Sequence, residues 1–463
     1  MKLKHVGLGL LVLSMLSCNF VTRMLVPATA TSAPITTPIA TLASFPSPLV
    51  PSYIPPECQA SAPFATIPPE LALAQPTVTF EPNPEISKDL QLDVFDELAK
   101  KVDAVYVYPD FNGKDWKEIK ARYRAKIEAG LETEMFYLEM QTLINELGDE
   151  HSFYLSPLEV KASEAELRGE NDYVGVGIFS LPDPERQIIS IISTFPNSPA
   201  EHAGIKPHDK IIGVDGVPLQ FDADATRQIR GPKCSAVTLT VQTPGEAPRD
   251  IMLIRTSIQG NLNIVSQLVP TTDGSKIGYI FIPTFFDETI PPQIDDALEA
   301  FGPLDGLILD VRLNGGGSSS VVDPIFKLFV DGTLGKFVSR NDSRALQVKA
   351  DPIHNSQTVP IIVIVSEDTV SYGEIFAGVL KDLGRAKVVG QTSLGNVEVL
   401  HGYNFDDNSQ VWIASETFYS ATSETNFELS GIIPDVEAFA EWDTITFETD
   451  PSIKAALGLL GHQ

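Results

Sequence analysis

A serine at a sharp turn between an apolar strand and a helix is presented for nucleophilic attack, and Ser371 stands in that context. Pro360 to Val365 is a continuous apolar run that leads through Ser366-Glu367-Asp368-Thr369-Val370 to Ser371-Tyr372-Gly373-Glu374. A helix follows, with Ile375, Phe376, Val379, Leu380 and Leu383 spaced along one face. N–H groups at the start of that helix would be available to a developing oxyanion. The lipase-type G-x-S-x-G elbow is not matched, because Thr369 stands where its first glycine would be. A second loop, Leu313-Asn314-Gly315-Gly316-Gly317-Ser318, follows the apolar strand Gly306 to Arg312. No Lys-Ser/Thr follows it and G-x-G-x-x-G is not satisfied, so it reads poorly as a phosphate cradle. It suits an oxyanion hole, where glycine lets backbone approach the substrate closely.

A serine nucleophile needs a base that titrates near the working pH, and histidine does so without heavy tuning. Of the seven histidines, His5 is in the leader, His202 and His208 share a turn, His354 is in a polar connection and His462 is near the C-terminus. His151, in Gly148-Asp149-Glu150-His151-Ser152-Phe153-Tyr154, and His401, which reads as an ordinary strand residue, are left.

The elements that must position these groups follow from hydrophobic period. Leu90, Val94, Leu98, Val102 and Val105 recur at helical spacing, and Asp115 to Gly130 and Glu134 to Leu147 read as two further amphipathic helices. Short β runs follow at Gln187 to Ser193, Lys210 to Val214, Ala236 to Thr243 and Asp250 to Ile258. Lys276 to Pro283 is a further apolar strand before the two that carry the glycine loop and Ser371.

The 463 residues carry 33 Lys plus Arg against 61 Asp plus Glu, a net charge of −28. Such a surface repels the phosphate backbone, so nucleic acid is not an expected partner. Three cysteines, Cys18, Cys58 and Cys234, are too few for a disulfide scaffold or a cysteine-rich zinc site. Lys2 and Lys4 precede the apolar run Val6 to Leu16, which has the form of a secretory signal. It ends Met15-Leu16-Ser17-Cys18, which resembles a bacterial lipoprotein box and implies a membrane anchor through lipidated Cys18, the alternative being ordinary secretion with a free Cys18, since Met15 and Leu16 are unusual in that box. Residues 24–87 contain no Lys or Arg, and 14 of the 35 prolines lie from Pro27 to Pro84. That composition predicts a disordered tether over 19–87. Cys58 and Cys234 are either a disulfide pair or two unrelated thiols.

Asn197-Ser198-Pro199-Ala200-Glu201-His202-Ala203-Gly204-Ile205-Lys206-Pro207-His208-Asp209, with Val214-Asp215-Gly216 after it, resembles a bacterial PDZ domain. Tyr173-Val174-Gly175-Val176-Gly177-Ile178 then corresponds to the carboxylate-binding loop, so the resemblance implies that Gly175, Val176, Gly177 and Ile178 receive a peptide C-terminus added as a strand.

The order of the His151 loop, the PDZ segment, L-D-V-R-x-N-G-G-G, T-V-S-Y-G-E-I-F-A-G-x-L and G-I-I-P-D resembles the C-terminal processing, or tail-specific, serine proteases over about residues 88 to 440. In the commonest branch a lysine 25 residues after the serine activates it, helped by a glutamine four residues later. Asn396 and Leu400 occupy those positions, which contradicts a serine-lysine dyad. The pattern is closer to the tricorn-like branch, which implies His151 as general base, oriented by Glu428, three residues before Gly431-Ile432-Ile433-Pro434-Asp435. That branch has a serine before its histidine; here Glu150 precedes and Ser152 follows. The resemblance further implies an oxyanion hole from the backbone of Gly316 and Tyr372, and no metal or organic cofactor.

The expected architecture is α/β and multidomain: signal 1–18, tether 19–87, helical domain 88–168, PDZ domain of β-barrel-like form 170–257, and a crotonase/ClpP-like α/β peptidase core 258–463. The expected function is a secreted, lipid-anchored serine endopeptidase acting on extended or C-terminal segments of proteins. The missing lysine also allows an inactive PDZ-bearing envelope scaffold, and the same residues would suit another acyl hydrolase. Oligomeric state and natural substrate are not legible.

Overall fold

The computed structural model describes residues 50–61, 82–149, 151–167, 173–219, 221, 228–258 and 261–462. The signal, Cys18 and Glu150 lie outside the described residues. No helix among the described residues is long and apolar enough to cross a membrane.

The C-terminal unit, the expected peptidase core, is built on a six-stranded sheet in the order Val265–Val269, Ile277–Phe281, Gly306–Asp310, Ile361–Val365, Ala386–Gly390 and Val436–Glu437. The first pair is antiparallel and the rest are parallel. Ile361–Val365 is buried along its whole length, which is why it reads as an unbroken apolar run instead of an alternating one. One face packs on the helices Ile290–Phe301, Ser319–Phe329 and Tyr372–Asp382. The other packs on the C-terminal helix Pro451–Leu460, on Trp442, and on Phe179 and Ile192 of the PDZ sheet.

A second, five-stranded sheet joins the N-terminal helices to this core. Its long strand Gln410–Ser420 pairs with Phe153–Leu155 and Val399–Asn404 near one end and with Gly332–Val338 near the other. Val411, Ile413 and Ala414 complete the core of the helices Lys88–Val105, Trp116–Ala129 and Thr133–Asn145, whereas Phe418 belongs to the peptidase core. The helical unit and the peptidase thus share one strand, and the His151 loop is drawn to the peptidase by that pairing.

The segment expected to form a PDZ unit is an antiparallel sheet in the order Ile178–Asp183, Ile188–Thr194, Lys210–Val214, Ala236–Gln242, Arg249–Ile254. It docks on the peptidase through Trp442 and Asp443. Trp442 stacks on His208 with ring centroids 3.7 Å apart and donates its indole N–H to the Ile191 carbonyl at 2.8 Å. Buried Asp443 accepts both guanidinium arms of Arg186, at 2.7 and 2.6 Å, and Lys210 Nζ at 3.0 Å.

One expectation is corrected here. Residues 50–61 fall within the expected tether but are fixed to the PDZ unit. Cys58 is bonded to Cys234 and fully buried beside Ala236 and Ile254. Tyr53 stacks on His202, and the Glu57 carboxylate accepts from the Thr256 hydroxyl. A covalent link across 176 residues holds a segment whose own composition gives it no periodic apolar face.

Candidate active site

The turn around Ser371, the expected nucleophile, is tied down on three sides. Leaving Ile361–Val365, the chain bonds to the neighbouring strand end and glycine loop: the Thr369 hydroxyl donates to the Val311 carbonyl at 2.9 Å, and Val370 N–H to the Asn314 carbonyl at 3.0 Å. Ser371 then adopts φ +56°, ψ −122°, a strained conformation for a residue with a Cβ. Tyr372 begins the helix, and among the described residues nothing accepts its N–H, as expected for a first-turn donor. Ser371 N–H donates to the Asn396 carbonyl at 3.0 Å. Fully buried Glu374 lies underneath, its carboxylate accepting from Ser393 Oγ at 2.5 Å, Gly395 N at 2.8 Å, Asn396 N at 2.8 Å and Ser371 N at 3.2 Å. It is a structural clamp between the nucleophile turn and residues 393–396. Burial pushes its carboxyl above the usual range despite these donors.

The glycine loop faces Ser371. A Cβ on Gly316, at φ +95°, would lie 2.7 Å from Ser371 Cβ and 3.1 Å from Tyr372 N. The expected role of Gly316 as an oxyanion donor is corrected: its N–H is taken by Asn314 Oδ1 at 2.9 Å. Asn314, fully buried, also donates to the Ile282 carbonyl at 3.1 Å, so it clamps the loop from within. Gly316 supplies room beside the serine instead. Asp310 and Arg312 pin the strand end, paired at 2.7 Å, with Arg312 also 2.7 Å from Asp450.

His151 is fully buried. Its loop is shaped by Asp149, which accepts from His151 N at 3.0 Å, Ser152 N at 2.8 Å and Ser152 Oγ at 2.6 Å. Ala414 N–H in turn donates to Ser152 Oγ at 2.9 Å, fixing the loop to the shared strand. His151 Nδ1 lies 2.8 Å from Glu398 Oε2, a residue that the sequence reading did not single out. Glu428 was expected to orient the imidazole; Glu398 stands at its Nδ1, with Glu428 close by. Glu428 stands beside Glu398, accepts Val397 N–H at 2.7 Å, and completes a trio with His151 and Glu398 whose polar atoms lie within 4.8 Å of one another. That spacing is close enough to share a proton or to converge on a cation. Tyr108 Oη donates to the other Glu398 oxygen at 2.7 Å. Among the described residues no hydrogen bond joins Ser371 Oγ to His151; His151 Nε2 is buried without a partner, and the 2.8 Å approach of His151 Nδ1 to Glu398 Oε2 is a close charge contact whose alignment falls short of a hydrogen bond.

Burial alone would lower the His151 pKa, but the Glu398 contact and the charges of Glu398, Asp149 and Glu374 outweigh it and raise it above its ordinary value. Burial and the neighbouring Glu398 drive Glu428 strongly upward, toward the neutral acid. Glu398 is driven downward, because His151, Glu428 and Tyr108 overcome its burial. His401 lies on Val399–Asn404 with its side chain half exposed, 4.0 Å from Glu416, as an ordinary strand residue.

A partly buried serine at a turn on a parallel sheet, a glycine loop beside it and a histidine backed by carboxylates define a serine hydrolase, and the comparisons with known proteins narrow the class. Residues 276–438 match Peptidase family S41, residues 92–141 the Tricorn protease C1 domain and residues 196–243 a PDZ domain. The chain is a serine peptidase that carries a PDZ domain, and it is similar to the S41 proteases of the C-terminal processing kind.

It is 28% identical over 372 residues to the carboxyl-terminal-processing protease of Synechocystis sp., covering 78% of this chain and 84% of that protein. It is likewise 28% identical over 379 residues to the carboxyl-terminal-processing protease of Picosynechococcus sp., covering 80% and 89%. In fold it is similar to the photosystem II D1 C-terminal processing protease, with a TM-score of 0.54 and 24% identity over 80% of this chain and 97% of that one.

Proposed function

We propose that this peptidase is an endopeptidase that cleaves extended or C-terminal segments of proteins outside the cytoplasm, with Ser371 as nucleophile and His151 as general base. The observation that carries this reading is one continuous connection. Ser371 N–H bonds to the Asn396 carbonyl, Val397 N–H bonds to Glu428, and Glu398 meets His151. Three consecutive residues therefore tie the strained serine to the acid-backed histidine. His151 takes the Ser371 proton and returns it to the leaving amine, while the acid pair at its back stabilises the imidazolium. Tyr372 N–H, at the helix start, receives the oxyanion.

The PDZ unit supplies the substrate strand. Ile178–Asp183 lies at an edge of its sheet, paired among the described residues only with Ile188–Thr194. The preceding loop is held by its own carbonyls, with Val176 O accepting from Ala200 N at 2.9 Å and Gly177 O from Phe195 N at 3.0 Å. A Cβ on Gly177, at φ +79°, would fall 2.2 Å from Ser198 Cβ, so only glycine fits there. A peptide adding as a strand would place its carboxylate at Gly175 to Ile178.

Action outside the cytoplasm is supported by the Cys58–Cys234 disulfide, which persists in an oxidising compartment, and by the leader whose Cys18 would carry a lipid anchor. The test is labelling by a serine-directed fluorophosphonate together with casein turnover, in the wild type, Ser371→Ala and His151→Ala. Labelling and turnover in the wild type alone are expected. A folded wild type that is neither labelled nor active overturns the reading, and full activity in His151→Ala overturns the role of the histidine.

A further inference from the structure

Two buried carboxyls stand behind His151, and their surroundings differ in a way that divides the work between them. Glu398 has one oxygen 2.8 Å from His151 Nδ1 and the other accepting from Tyr108 Oη at 2.7 Å. Both of its oxygens thus face groups that can present a proton, which suits an anion. Glu428 accepts the Val397 N–H through Oε2 at 2.7 Å, and a carboxyl oxygen of Glu428 lies within 4.8 Å of Glu398 and of His151. Two carboxylates this close cannot both ionise at ordinary cost, so one keeps a proton and donates it to the other.

We propose that Glu398 is the carboxylate that positions His151, and that Glu428 is a neutral carboxylic acid whose proton is donated to Glu398. This rests on the reading of His151 as the base and assigns its supporting groups. With an anion at Nδ1, the ring carries its proton there, leaving Nε2 bare as the acceptor for the Ser371 hydroxyl proton. The opposed directions in which the two carboxyls are driven agree with this division. Glu428 then acts through Glu398: its hydrogen bond keeps the anion in place and compensates the burial of its charge.

The consequence separates two conservative substitutions. In Glu428→Gln the amide can donate to Glu398 as the acid does and still accept from Val397. In Glu398→Gln the imidazole loses its anion. The experiment measures kcat and KM on casein for both variants of the full chain. In parallel, in a Ser371→Ala background, it follows the downfield proton resonance of the His151 Nδ1–H, which needs no turnover.

Glu398→Gln is expected to lower kcat on the order of 10³- to 10⁴-fold with KM little changed, as loss of a triad acid does. It should also abolish the downfield resonance. Glu428→Gln, which weakens the support of Glu398 without removing the anion, is expected to lower kcat by about tenfold, far less than Glu398→Gln, and to keep the resonance. The assignment is overturned if Glu428→Gln loses the resonance while Glu398→Gln keeps it, or if Glu428→Gln is the more damaging to kcat. Should the wild type show no turnover, the enzymatic reading of Ser371 fails, while the resonance still decides which carboxyl holds the histidine. Should Glu398→Gln fail to fold, Glu428→Gln decides alone: a lost resonance or a loss of kcat equal to that of His151→Ala overturns the assignment.

Discussion

The backbone N–H of Ser371 donates to the carbonyl of Asn396, 3.0 Å away. Position 396 is where the resemblance to lysine-dyad proteases would place the base, and here it meets the nucleophile through its main chain. Its N–H is likewise committed, to Glu374 at 2.8 Å. Both bonds survive any side chain at 396 except proline, which has no N–H to donate. Asn396→Ala should therefore label with fluorophosphonate and turn over casein within about threefold of the wild type. Glu374→Ala should instead leave several buried donors without an acceptor, lowering stability by about 3 kcal/mol or more in urea titration and losing activity with it.

Gly316 tests the shape of the site. An added methyl would press on Ser371 Cβ at 2.7 Å, at a backbone φ of +95° that side chains rarely adopt. Gly316→Ala is expected to reduce kcat by about 10²-fold or more, since small displacements of a nucleophile are costly. Circular dichroism should show the fold retained, and wild-type kcat in the variant would contradict the packing of the loop on the serine.

The pH dependence of turnover follows from the surroundings of His151, where Glu398, Glu428, Asp149, Glu374 and Tyr108 supply the charged and titratable groups. Its pKa is raised, so the imidazole stays protonated to a higher pH than a free histidine. A general base must be neutral. The acid limb of kcat/KM should therefore lie above the ordinary imidazole value of about 6.5. Replacing Glu398 by Gln should move that limb downward, and a limb below the ordinary value in the wild type would contradict the ion pair.

Stability should respond to Glu428 with a definite sign. Its folded pKa is raised above that of the unfolded chain, so between the two the folded state holds a proton that the unfolded state has released. Stability from this group is complete below the ordinary glutamate range and is lost as pH rises. Glu398, driven the opposite way, contributes stability that is lost as pH falls. In Glu428→Gln the first dependence disappears. The variant should gain on the wild type by up to about 1.4 kcal/mol per pH unit between about pH 5 and 8 in urea titrations. A constant difference across that range would show that Glu428 is ionised in the folded protein.

What the sequence made legible were the features encoded locally. The strand, turn and helix around Ser371 could be read because a fully buried parallel strand is an unbroken apolar run and the helix face repeats every three to four residues. Glu428 was found through a motif, and it does lie in the trio with His151. Glu398 was missed because it sits next to Val399–Asn404 with nothing local to mark it, and it meets a histidine 247 positions earlier only because two strands pair with Gln410–Ser420. The anchoring of residues 50–61 was missed for a similar reason: proline-rich composition registers the lack of an apolar face, not a bond to Cys234. Asn314 beside the glycines carried a weak signal, a polar residue directly after an apolar strand, but its capture of the Gly316 N–H depends on the loop closing back on itself.

The Cys58–Cys234 bond also alters what a break in the backbone would do. A nick anywhere between residues 61 and 82 would divide the polypeptide in two without releasing either piece. Under oxidising conditions the leader side would stay attached to the body through the PDZ sheet, and the two fragments would part only on a reducing gel. Shedding of the folded protein from anything fastened upstream of Cys58 would thus require either a cut before that cysteine or such a nick together with a reductant.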